Sequence, residues 1–159
     1  MPVLERRALS FAALDEIIED AERLRDHGCD PAGRWDLAQA CLHVGEWMRF
    51  PLDGFPKASF PVNGILWILR HTAGQRILRR ATAGGPMPAG GPTDPRTVFR
   101  PGGDPVAAVA KLAQTVERLK AAQGPFHPSP LFGALDKETL VKLNLAHAAL
   151  HLSFLIPRG

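Results

Sequence analysis

The stretch His147-Ala148-Ala149-Leu150-His151 carries two imidazoles four residues apart. On a helix, residues at that spacing stand one turn above each other, about 5–6 Å apart at Cβ. Both rings can then reach one divalent metal through bonds of about 2.0–2.1 Å. The pair falls on or beside an apolar face with Leu140, Leu143, Leu150 and Phe154. A buried imidazole without a partner is costly, and a metal ion would satisfy both rings at once. The plainer alternative is a pair of core histidines bonded to backbone or water. The His-Glu-x-x-His helix of metalloproteases is excluded, because Ala148 stands where that motif has its general base.

His43 is a candidate third ligand. It shares a helical stripe with Asp36, Gln39, Trp47 and Phe50, and Glu46 lies nearby. Gln39, Glu46 and Asn144 could orient ligands or handle protons, and Trp47 would line the same pocket. His127 lies in a proline-rich segment, where it either packs rigidly or lines a pocket mouth. His27, at a helix end, and His71, in a basic stretch, are expected in solvent. Cys41 sits about 200° around the helix from His43 and is expected in the core. No Gly-rich phosphate loop follows a strand pattern, and no Gly-x-Ser-x-Gly elbow is present.

Helices must position these residues. Phe11, Leu14, Ile17, Ile18, Ala21 and Leu24 recur at helical spacing, with Ser10 as the expected cap and Gly28 as the stop. A second helix is expected from Asp36 to Phe50, ending before Pro51. It carries two apolar stripes, Leu37-Cys41-Val44-Met48 and the His43 stripe, so it is deeply buried or lines a pocket. A Pro-rich connection over 51–62 leads to a helical stretch, Asn63 to Arg80, broken near Gly74. Residues 81–105 hold six glycines and six prolines in 25 positions and are expected to be irregular. Loops that long in a compact domain are commonly functional or mobile, and a lid role stays open. Asp104-Pro105 opens a further helix to about Gly124. The last helix is expected from Asp136 to Ile156, where Pro157 stops it. No strand pattern is visible. The pattern predicts an all-α antiparallel bundle, with residues 1–159 as one domain.

Composition narrows the function classes. With 45% hydrophobic and 22% charged residues, the chain has the balance of a globular domain rather than a disordered one. A net charge of +3, without interleaved basic and aromatic residues, argues against nucleic acid. The basic residues from Arg70 to Arg80 could meet an acidic membrane surface. An amphipathic helix packed on the bundle with its charges in water is the preferred expectation. Arg6-Arg7 is followed by Asp15, Glu16, Glu19 and Asp20 rather than an apolar run, so no signal peptide is expected. Two unpaired cysteines, Cys29 and Cys41, fit a cytoplasmic location.

Several stretches together resemble the DinB-like superfamily of helical bundles, in a branch known as a domain of unknown function. They are Trp35-Asp-Leu-Ala-Gln39-Ala-Cys-Leu-His43, Leu52-Asp53-Gly54-Phe55-Pro56, Met87-Pro88-Ala89-Gly90, His127-Pro128 through Leu131-Phe132-Gly133, and His147 through Leu155. The likeness spans residues 5–156. It implies a four-helix bundle of up-down-down-up topology with a long crossing segment. It also implies a divalent metal, nickel or zinc with iron as an alternative, held by His43, His147 and His151. One departure stands at the last helix, which begins Asp136-Lys-Glu138-Thr-Leu140 where the branch carries acidic residues followed by Trp.

Three neutral imidazoles leave a metal its full charge and an open position, as in catalytic rather than closed structural sites. The resemblance implies a metal-dependent transferase using a low-molecular-weight thiol on a small-molecule substrate. The alternatives are a metal-dependent hydrolase and a non-enzymatic small-molecule-binding or stress-related protein. The superfamily also makes a homodimer an expected assembly.

Overall fold

Apolar residues at helical spacing fold into four long helices around one core. The computed structural model describes residues 5–159. The four are α1 (Leu14–His27), α2 (Leu37–Asp53), α5 (Pro105–Ala121) and α6 (Lys137–Leu152). Ile17 and Leu24 of α1, Val44 and Met48 of α2, Leu112, Val116 and Leu119 of α5, and Leu152 of α6 are fully buried together. Each large side chain buried this way contributes about 1.5–3 kcal/mol. Two shorter helices, α3 (Val62–His71) and α4 (Ala73–Thr82), lie between α2 and α5. Among the described residues the protein is thus mostly helical, with six α-helices and one small sheet.

The helix ends depart from the sequence expectation in instructive ways. Ser10 does not cap α1, which starts at Leu14 behind an uncapped Ala13. The preceding segment is tied to the end of α6, with the Arg7 amide donating to the Ser153 carbonyl at 2.7 Å. At α2 a full capping box forms. The Asp36 carboxylate accepts from the Gln39 amide while the Gln39 side chain accepts from the Asp36 amide. Pro51 does not stop α2 but lies within its last turn, and the Gly54 amide closes that turn on the Phe50 carbonyl at 2.8 Å. Proline removes only one donor, and near a helix end that loss is tolerable. Asp104 and Asp136 cap α5 and α6 as the sequence predicts.

The last helix ends at Leu152 rather than Ile156. Beyond it, β2 (Leu155–Pro157) pairs antiparallel with β1 (Cys29–Pro31), in the register Cys29↔Pro157, Asp30↔Ile156 and Pro31↔Leu155. Three-residue strands are too short to show alternation, so the sequence reading finds none.

The stretch Asn63–Arg80 is broken at Thr72, close to Gly74. A Cβ on Gly74 would overlap the Leu131 carbonyl oxygen, so glycine permits α4 to approach the 129–133 turn. Arg76, Arg79 and Arg80 face solvent, as expected of an amphipathic helix, and α4 packs against α6. By contrast α3 buries none of its residues and leaves Val62, Ile65, Trp67 and Ile68 exposed. No helix among the described residues is long and apolar enough to cross a membrane.

Candidate metal centre

The buried apolar stripe of α2 fixes how the helix faces the core, and that facing decides where His43 points. The Leu37-Cys41-Val44-Met48 stripe enters the core, while Gln39, His43 and Phe50 are buried on the other side. Cys41 is fully buried in the core cluster, and burial pushes its thiol up to about 12.

His43, His147 and His151 converge. Each offers one ring nitrogen, and the three nitrogens lie within 4.8 Å of one another. His43 Nε2 and His147 Nε2 are 3.2 Å apart. Two nitrogens bound to one ion at about 2.0–2.1 Å would be roughly 2.9 Å apart at a right angle and 3.4 Å at a tetrahedral angle. The observed separation falls between those values, so this pair has the spacing of two ligands on one ion, and the third ring lies close enough to join them. His43 Nδ1 lies 3.0 Å from the Thr97 carbonyl oxygen. A carbonyl only accepts, so Nδ1 carries the proton and Nε2 keeps its lone pair.

The surroundings keep the rings uncharged. Burial lowers the pKa of His43, partly opposed by its bond to the Thr97 carbonyl. Burial, then the proximity of His151 and His43, holds His147 well below the ordinary range. Burial and His43 bring His151 to about 3. Neutral imidazole is the form that binds metal. The trio contains no carboxylate.

Sequence reasoning missed two supports. Trp35 stacks on His151, with centroids 5.0 Å apart and planes 11° apart, and lies 4.7 Å from the His43 ring. Its position just before the cap of α2 was the available signal. Thr97 lies in the glycine- and proline-rich segment, within a short helical turn capped by Asp94. Its role is carried by a backbone carbonyl, which no side-chain pattern reveals.

The other expected site residues separate into distinct places. Trp47 stands edge-on to His147 at 6.1 Å. Gln39 does not face the trio: Nε2 donates to the Phe99 carbonyl at 2.7 Å while Oε1 serves the cap. It thereby anchors the strand of loop that carries Thr97. Glu46 is engaged with Arg49 at 2.8 Å. Asn144 is buried, its Nδ2 donating to the Leu140 carbonyl at 2.9 Å. The exposed His127 is held by its amide on the Pro51 carbonyl at 2.8 Å. His27 and His71 are exposed, as the sequence predicts.

A cleft of about 120 Å³ adjoins the trio, with His147 in its wall. Trp47, His127 and Asn144 also line it. Its far side comes from the 125–135 segment. There the Ser129 and Gly133 backbones pair at 2.8 and 2.9 Å, and Ser129 Oγ accepts from the amides of Leu131 and Phe132. That closed turn holds Leu131 and Phe132 in the cleft wall.

Comparison with known proteins places the chain at the level of family. No curated protein and no solved structure matches it. A family model described as "Protein of unknown function (DUF1569)" matches residues 3–158, and the chain belongs to that family.

Proposed function

We propose that the protein binds one divalent metal through His43, His147 and His151 and is a metal-dependent transferase acting with a low-molecular-weight thiol on a small molecule. The observation that carries this reading is the convergence of three uncharged imidazoles beside a cleft that shares His147. Nickel or zinc suits an imidazole set, with iron the alternative. The DinB-like relationship belongs to the same reading. Its support is the arrangement of four long helices, with α3, α4 and the loop before α5 spanning the crossing between α2 and α5.

Bound by three neutral ligands, the ion would supply Lewis acidity and lower the pKa of a thiol or water at its open position. The chain's own residues do the rest. The Thr97 carbonyl fixes the His43 tautomer, and Trp35 holds the plane of His151. The apolar walls of the cleft limit water beside His147. Hydrolysis ranks second, because the trio brings no carboxylate to act as a general base.

The test is to offer metal-loaded protein a panel of thiols and electrophiles. Turnover requiring both metal and thiol supports the transferase. Turnover of activated esters without thiol replaces it with the hydrolase. Ligand binding without any turnover leaves a non-enzymatic binding protein, and the transferase reading fails.

A further inference from the structure

The cleft beside His147 has a wall chemistry that limits what can enter. Trp47, Phe55, Phe126 and Phe132 surround it with aromatic faces, and Leu140 and Leu143 complete its floor from α6. No Asp, Glu, Lys or Arg lines it. In the metal-free protein an ion entering would lose its hydration with no opposite charge to replace it, so charged molecules are disfavoured there. The volume, about 120 Å³, compares with the roughly 150 Å³ apolar cavity known to take up benzene. The cleft has room for a single aromatic ring.

Asn144 adds a polar requirement. Its Nδ2 is committed to the Leu140 carbonyl, while its Oδ1 accepts no hydrogen bond from the described residues. That oxygen is not among the buried atoms sealed without a partner, and the residue lines the cleft. Ser129 Oγ, by contrast, already accepts two backbone amides. Asn144 Oδ1 is thus an acceptor on a buried residue left for a ligand, and it calls for a donor.

We infer that the cleft binds a neutral one-ring aromatic molecule carrying a hydroxyl or amino donor, of the phenol or aniline class. The ring packs among the aromatic walls, the donor meets Asn144 Oδ1, and the molecule lies against His147. This names the substrate class for the proposed transferase and rests on that reading for its catalytic meaning. Binding itself does not depend on the metal.

The experiment uses metal-stripped full-length protein, titrated with phenol, 4-methylphenol, toluene and benzoate, and read by Trp fluorescence and methyl NMR. Phenol and 4-methylphenol are expected to bind with shifts at Leu140 and Leu143. Benzoate is expected to bind about tenfold or more weakly, from the uncompensated loss of carboxylate hydration. Asn144→Leu should bring 4-methylphenol down to the affinity of toluene, and Leu143→Trp should block both. Equal binding of benzoate and phenol, or phenol binding without shifts at Leu140 and Leu143, overturns the inference. The wild-type ligand comparison decides it even if a variant fails to fold. Phenol binding in a protein that takes up no metal would sink the metal reading alone. Metal uptake without phenol binding would sink this inference alone.

Discussion

His43 has its two ring nitrogens assigned by their surroundings. The Thr97 carbonyl accepts a hydrogen bond from Nδ1–H, which leaves the Nε2 lone pair directed toward His147 Nε2 at 3.2 Å. Trp35 does a comparable job for His151 by stacking rather than by hydrogen bonding. Groups that orient metal ligands typically matter about 10–100-fold in affinity. Trp35→Ala is therefore expected to weaken metal binding about tenfold or more while leaving all three ligands in place. Competition titration against a chelator measures it. Unchanged affinity would show that His151 needs no such support. The His43, His147 and His151 side chains were legible in the sequence because imidazole is a conspicuous donor. Trp35 was visible only as part of a motif, and the Thr97 carbonyl was invisible, because every residue has one.

At the scale of elements, the start of α2 joins two structures. One Asp36 carboxylate oxygen caps the helix at the Gln39 amide, 2.8 Å away. The other accepts from the Gly102 amide at 2.7 Å and so ties down the loop that carries Thr97. Asp36→Ala is expected to cost about 1–2 kcal/mol, the range for a lost cap, in denaturant unfolding. It should also speed hydrogen exchange at the Gly102 amide. A loss of only a few tenths of a kcal/mol, with Gly102 still protected, would contradict this double role. The long helices were readable because apolar spacing repeats over several turns in each. The failures came where repetition stops. Ser10 is a capping residue by type, but α1 begins only at Leu14 and the chain before it is tied to the end of α6 through Arg7. Pro51 was read as a stop although one missing donor in a last turn is affordable. The β1–β2 pair depends on partners more than a hundred residues apart, with no local pattern.

Across the whole molecule, Asp20 joins distant parts of the chain. It is buried on α1 and accepts from both terminal guanidinium nitrogens of Arg7 at 2.7 and 2.8 Å and from Arg23 at 2.7 Å. Arg7 also donates to the Leu152 carbonyl at the end of α6. Burial alone would raise the Asp20 carboxyl, but hydrogen bonds and charge from Arg7 and Arg23 outweigh it and hold it below the ordinary range. A carboxyl lowered on folding adds stability that is fully present above its unfolded pKa of about 3.9. That contribution fades as pH falls from there through the folded pKa. Asp20→Asn is expected to cost about 3 kcal/mol at neutral pH, because it leaves Arg7 without its buried partner. It should also flatten the fall in stability below about pH 4. Chemical unfolding across pH measures both, and a variant with the wild-type acid limb would show that Asp20 does not set it.

The central claim is that His43, His147 and His151 hold one divalent ion, and metal content tests it most directly. Tag-free wild type, His147→Ala and His151→Ala would be loaded with nickel, zinc or iron, desalted, and measured by elemental mass spectrometry beside circular dichroism. The account predicts about one metal per chain in the wild type and loss of that metal in both variants with helicity kept, as expected for a three-His site. A wild type that retains none of the three metals, or variants that retain as much as the wild type, would contradict it.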